Sequence, residues 1–303
     1  METRFLIVDG NSLACRAAYA HNPKFGPDLM TKDGLLTGPV YRFFSMFDNI
    51  LKITRPTHIV VCWDVDRNTW RKQLYPLYKE NRGSGGTNEE LYEQFDIIKK
   101  LLNKLNIKSV AIKGYEGDDL VGTFCKLSKA NKTFVISGDK DSFQLADEKT
   151  TILFPKNGFK EVELVTPDFI LNKYNITVDK FIDLKALMGD DGDNIPGING
   201  CGEKTATKLL QHFGSAKEVA LTNGEFELKG INKTVKENIK EWKKDSEMIL
   251  KLVTILKDVN VPYTFNDCQV EYINWYNVVD DFIELQFKSL VPKIYGGVLF
   301  NGV

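Results

Sequence analysis

Phe5-Leu6-Ile7-Val8-Asp9-Gly10-Asn11 opens the chain with an apolar run that ends on a carboxylate. Four consecutive apolar residues bounded by a turn signal read as a strand buried on both faces. Runs of the same kind follow at His58–Trp63, Ser109–Ile112 and Thr133–Ser137, and helical patterns lie between them near Val40–Ile53, Glu89–Leu105 and Asp118–Ala130. Strand, helix, strand repeated in this way predicts an α/β fold with a mostly parallel central sheet flanked by helices.

Ligands of such sheets bind beyond the carboxyl ends of the strands, and the acids of this chain sit there. Asp9 follows the first run and Asp64 the second; Glu116, Asp118 and Asp119 follow the third, and Asp139 and Asp141 the fourth. One Asp after a strand is ordinarily a turn residue or a helix N-cap. Four strands in succession ending this way point to one shared pocket. The loop Gly189-Asp190-Asp191-Gly192-Asp193-Asn194-Ile195-Pro196-Gly197-Ile198-Asn199-Gly200-Cys201-Gly202-Glu203-Lys204 adds more carboxylates beside a glycine-rich turn. Carboxylates this close repel, so ionising them together calls for a divalent cation, a basic partner or open water. A glycine turn that opens a helix presents backbone N–H groups to an anion such as phosphate.

At 303 residues, 43% hydrophobic and 27% charged, the chain has the composition of a globular protein with room for one large or two ordinary domains. A net charge of -1 carries no general excess for a polyanion, so binding nucleic acid requires segregated charge. All seven arginines precede residue 83, whereas from Lys204 to Lys257 the basic residues are lysines and His212. Five scattered cysteines without zinc spacing suggest a reducing compartment. With no apolar run of signal-peptide or membrane-spanning length, a cytoplasmic protein with no membrane partner is expected. Trp70 to Gly86 is basic and aromatic and then glycine-rich, a composition suited to an excursion that contacts single-stranded nucleic acid. Beyond Thr166-Pro167 the pattern turns helical, at Pro167–Tyr174, Val178–Met188, Lys204–His212 and Asn232–Asp258.

Six motifs occur in an order that resembles the 5'-nucleases of the flap endonuclease family, the bacteriophage 5'→3' exonucleases and the N-terminal nuclease domain of bacterial DNA polymerase I. They are Leu6-Ile7-Val8-Asp9-Gly10-Asn11, Trp63-Asp64, Tyr78-Lys79-Glu80-Asn81-Arg82, Glu116-Gly117-Asp118-Asp119, Ser137-Gly138-Asp139-Lys140-Asp141 and Lys185 through Gly202. The resemblance implies a PIN-like nuclease core over residues 1–175, with a helical arch at about 78–95. It also implies a helical DNA-binding region over 176–303, with a helix–hairpin–helix at about 185–212. By the same resemblance, Asp9, Asp64, Glu116, Asp118 and Asp119 surround one Mg²⁺, and Asp139, Asp141, Asp190 and Asp193 serve a second, with Mn²⁺ an alternative ion. Hard oxygen ligands in this number suit Mg²⁺ or Mn²⁺ over zinc.

Lys79 and Arg82 would offset charge developing on the scissile phosphate, and Tyr78 would stack on a base. Gly197, Gly200, Gly202 and Lys204 would hold the duplex backbone, with K⁺ assisting that turn. Gly83 to Gly86 departs from a basic arch and is expected to be disordered without DNA. The implied activity is two-metal hydrolysis of DNA at 5' flaps, 5' overhangs and 5' ends in replication and repair, by a free-standing monomer without an attached polymerase. Three alternatives stay open. Asp64-Val65-Asp66 resembles an aspartyl nucleophile of phosphoryl-transfer enzymes; the chain could be a catalytically silent junction binder; or its main substrate could be RNA in RNA·DNA hybrids, as in primer removal.

Overall fold

The computed structural model describes residues 2–20, 28–82, 89–156, 161–297 and 299. Six strands form one sheet in the order β3-β2-β1-β4-β5-β6: β1 (Arg4–Asp9), β2 (His58–Trp63), β3 (Lys108–Ala111), β4 (Lys132–Ile136), β5 (Thr150–Lys156) and β6 (Glu161–Val165). All neighbours run parallel except β5 and β6. Because β2 and β4 flank β1 on opposite sides, the chain reverses its winding direction at β1, and a crevice opens there at the carboxyl ends.

The two central strands are apolar throughout because both of their faces are covered. Phe5, Ile7, Val60 and Cys62 face a core completed by α5 (Gly117–Leu127). Leu6, Val8, Val61 and Trp63 face the opposite core, built on α1 (Gly10–Tyr19), α2 (Gly38–Thr54) and α4 (Glu89–Lys104). The single-turn helix α3 (Trp70–Leu74) lies between β2 and α4. Three elements differ from the sequence reading. Helix α1 starts directly at Gly10, in a stretch to which the sequence reading assigns no element; Gly10 itself is needed because a Cβ there would lie 2.6 Å from the Trp63 indole. The pair β5 and β6 carries threonine, proline and charged residues, as an edge hairpin does.

The second half is helical: α6 (Pro167–Tyr174), α7 (Phe181–Met188), α8 (Glu203–Phe213), α9 (Ala216–Leu221) and α10 (Lys233–Val253). The end of α10 docks on the core through Ile255 and Leu256, which meet α5 so closely that a Cβ at Gly122 would lie 2.5 Å from each. The remainder, expected to belong to the helical region, crosses the base of the sheet through a bridge between Gln269 and His58. Ile273, Trp275, Phe282 and Phe287, with α11 (Val279–Glu284) and α12 (Val291–Tyr295), then join the apolar core on the α2 side. The described residues from Ile273 to Leu299 thus pack with the sheet, covering the apolar face of α2 and α4.

Candidate active site

A cleft of about 1500 Å³ opens at the carboxyl ends of the parallel strands, lined by Asp9, Asp64, Lys79, Glu116, Asp118, Asp139, Lys185 and Asp190 among others. Each acid is held by the turn that follows its strand. Asp9 caps α1 by accepting the Ser12 N–H at 2.9 Å, and its other oxygen accepts from Ser137 Oγ at 2.8 Å. Asp64 accepts the Gly117 N–H at 2.5 Å, joining the β2 turn to the start of α5. Asp139 accepts the Asp141 N–H at 2.9 Å. In the last loop, Asp190 and Ile195 pair as an antiparallel bridge, and the Asp193 N–H donates to Asp190 Oδ1 at 3.2 Å.

Two lysines divide the carboxylates. Lys79 Nζ donates to both oxygens of Glu116 at 3.0 Å and lies 3.7 Å from Asp193. Lys185 Nζ lies 2.7 Å from Asp141 Oδ1 and 2.6 Å from Asp190 Oδ2. Between these pairs stand Asp9, Asp118 and Asp139. Burial raises the Asp9 pKa to about 7 against the pull of the Ser12 N–H, and the charges of Asp64 and Asp139 push in the same direction. Burial, then Asp9 and Asp139, push Asp118 well above the ordinary carboxylate range. Burial and Asp139 bring Asp141 to about 6 despite Lys185. At Asp190 the cost of burial is outweighed by Lys185, and its pKa falls. Asp139 acts on both groups and marks where they meet.

This donor set fits a hard divalent cation: the oxygens are anionic, crowded and partly desolvated, which an ion of charge +2 would offset. Among the described residues no three carboxylates yet converge on a single ligating position. Lys79 lies against Glu116 and Asp193, and Lys185 against Asp141 and Asp190.

Several expected roles are corrected. Asp119 does not face the cleft. It is fully buried, and Arg71 grips it with Nη1 and Nη2 at 2.8 and 2.9 Å, while Trp70 Nε1 donates to it at 2.9 Å. Trp70 and Arg71 are therefore structural rather than parts of a nucleic-acid excursion; Arg71 also donates to the carbonyls of Leu252 and Thr254 at the end of α10, each at 2.9 Å. Tyr78 is 4% exposed and offers no open ring face to a base. Its hydroxyl donates to Glu116 Oε2 at 2.9 Å and Asp193 Oδ2 at 3.1 Å, fixing both acids. Burial and those two charges push the hydroxyl pKa up, so it stays a donor.

Lys79 sits in left-handed backbone conformation at φ 55°, an arrangement that strains a non-glycine residue. Its N–H donates to Asp193 O at 2.9 Å, Asn194 Nδ2 donates to Leu77 O at 2.7 Å, and Asn81 Nδ2 donates to Asp191 O. The Tyr78–Arg82 motif is thus clipped to the acidic loop. Arg82 ends a short 3-10 helix; its side chain, and the expected disorder of Gly83 to Gly86, lie outside the described residues, as does part of the arch.

The four expected phosphate contacts separate. Gly200, Gly202 and Lys204 are exposed together at the start of α8. Gly197 instead packs against the chain: a Cβ there would lie 2.1 Å from Met188 O, and one at Gly189 would lie 2.3 Å from Gly197 N. Sequence reading did not assign Lys185 a role. Its signal is a lone cation within the apolar run Leu184 to Met188, five residues before Asp190.

A doubly wound sheet with acids banked at its switch point and a helical module beside them defines a resolvase-like nuclease of two parts. The chain belongs to the 5'-3' exonuclease family: the pattern of the N-terminal resolvase-like domain matches residues 4–175, and that of the C-terminal SAM fold matches residues 176–275. It is 36% identical over 293 residues to DNA polymerase I of Bacillus subtilis, covering 96% of this chain and 32% of that protein, so it spans about a third of the length of such relatives. A structure of T5 5'-exonuclease with divalent metal ions (zinc) bound is similar at 25% identity and a TM-score of 0.63, covering 82% of this chain and 88% of that one. Flap endonuclease-1 from Methanococcus jannaschii shares the fold at 17% identity and a TM-score of 0.62, over 97% and 92% of the two chains. Among the described residues no helix is long and apolar enough to cross a membrane.

Proposed function

We propose that the chain is a structure-specific 5'-nuclease that hydrolyses DNA phosphodiesters near 5' flap junctions and from 5' ends, in DNA replication and repair, with Mg²⁺ as its divalent metal. The observation that carries this reading is the bank of carboxylates, Asp9, Asp64, Glu116, Asp118, Asp139 and Asp190, that lines one cleft at the carboxyl ends of the parallel strands. Asp9, Asp64, Glu116, Asp118 and Asp139 would hold one ion, and Asp139, Asp141, Asp190 and Asp193 the other. Bound divalent ions supply activation of water and stabilisation of the leaving oxygen.

The protein's own residues supply aim and charge. Lys79, whose ammonium lies against Glu116 and Asp193, would offset negative charge on the scissile phosphate. Tyr78 keeps Glu116 and Asp193 pointing inward, and the Arg71–Asp119 pair fixes the first turn of α5, from which Glu116 and Asp118 project. The exposed turn of Gly200, Gly202 and Lys204 would take a duplex phosphate through N–H groups and one ammonium, with K⁺ there supported by family resemblance alone.

The test is cleavage of a 5'-flap DNA labelled at its 5' end, in Mg²⁺ or EDTA, beside single-stranded, blunt duplex and RNA·DNA hybrid substrates. Mg²⁺-dependent cutting near the junction is expected. Retained flap binding with no cutting would make the chain a junction binder instead, and cutting confined to RNA·DNA hybrids would make it a primer-removing nuclease.

A further inference from the structure

Lys185 touches carboxylates of both segments that flank the proposed second metal position. Its ammonium bridges Asp141, in the turn after β4, and Asp190, in the acidic loop, at 2.7 and 2.6 Å, and its side chain is only 15% exposed. Those carboxylates come from segments 49 residues apart in the chain, so the lysine also ties the helical module to the sheet. A magnesium ion needs carboxylate oxygens at about 2.1 Å in near-octahedral array and cannot share them with an ammonium seated midway between them. Lysine is suited to yield, because its charge is compact and its four-carbon stem has several rotamers.

We propose that Lys185 is a resident counter-cation of the second metal position, holding Asp141 and Asp190 together before the second ion arrives and swinging aside when it does. This rests on the two-metal reading above. The chain thereby keeps the two segments from repelling apart in the absence of metal, at the cost of a weaker affinity for the second ion than for the first. The displaced ammonium, freed beside the cleft, becomes available to a phosphate oxygen of the substrate.

Calcium titration of the whole chain by calorimetry, without DNA, tests this. Wild type should show a tighter and a weaker binding event. In Lys185→Met the weaker event should tighten by roughly tenfold or more, the scale expected from removing one like charge a few ångström from the ion. Lys185→Arg, which keeps the charge, should retain the weak event. A weaker event unchanged or lost in Lys185→Met, with the tighter one intact, would overturn the proposal. Absence of any calcium binding to wild type would instead sink the metal reading itself. Wild-type protein alone gives a second readout independent of variant folding: acetylation of Lys185 by an amine-reactive ester, followed by mass spectrometry. Its labelling should rise as calcium fills the weaker position; labelling that stays flat or falls would count against displacement.

Discussion

Asp118 and Asp119 are neighbours in sequence with opposite duties. Successive residues at the start of a helix point about 100° apart, so one faces the cleft and the other the interior. Asp119 is matched by Arg71, and leaving either charge buried without the other costs about 3–5 kcal/mol. Asp119→Asn should therefore lower the urea midpoint sharply, with a smaller loss of calcium affinity per folded molecule than Asp190→Asn gives. Asp190→Asn should do the reverse: slow cleavage greatly, with little loss of fold and with flap binding in calcium retained. An Asp119→Asn protein of normal stability and weakened calcium binding would return that residue to the ligand set. Sequence reading placed Asp9, Asp64, Glu116, Asp118 and Asp139 at the cleft because position after a strand is visible in a one-dimensional pattern, and Asp190 because its acidic, glycine-rich loop stands out in composition. The inward turn of Asp119 and the burial of Tyr78 depend on Arg71 and Glu116 meeting across the fold, and no local pattern reports that.

The turn from Gly189 to Lys204 contains glycines of two kinds. At Gly197 a Cβ would strike the Met188 carbonyl, so Gly197→Ala should lower the melting temperature and disturb the acidic loop. Nothing lies within 4 Å of a Cβ at Gly202, whose φ of -77° also suits proline. Gly202→Pro should leave the fold intact and, by deleting an N–H, weaken flap binding measured in calcium; unchanged binding would remove that N–H from the grip. Legibility from sequence follows the same division. His58–Trp63 and Pro167–Tyr174 are found where periodicity and proline announce them. Helix α1 and the β5–β6 hairpin escape because a polar first turn and an edge strand carry little apolar signal.

Acid crowding makes the stability of the whole molecule depend on metal and pH. Asp9 and Asp141, raised in the folded chain to about 7 and about 6, hold protons that the unfolded chain releases near its ordinary carboxylate values. Between roughly pH 4 and 7 the folded state therefore binds more protons than the unfolded one, and stability from these groups falls as pH rises. In EDTA the melting temperature at pH 7.5 should lie below that at pH 5.5, and millimolar Mg²⁺ should recover most of the difference at pH 7.5, since an ion bound only by the folded state stabilises it. Equal melting temperatures in EDTA, or no Mg²⁺ effect at pH 7.5, would mean that the acids are not strained as described.

After α10 the chain passes through Phe265 and Cys268 on one side of the sheet, pairs Gln269 with His58 beneath it, and ends among Trp275 and Phe282 on the other. The helical module is consequently suspended from the sheet at both of its ends, like a span between two piers rather than a tail hung from one. A span loses its freedom once, when the protein folds. Under the proposed function, little of its motion would be left to freeze when a duplex settles on it, so that contact would lose little conformational entropy.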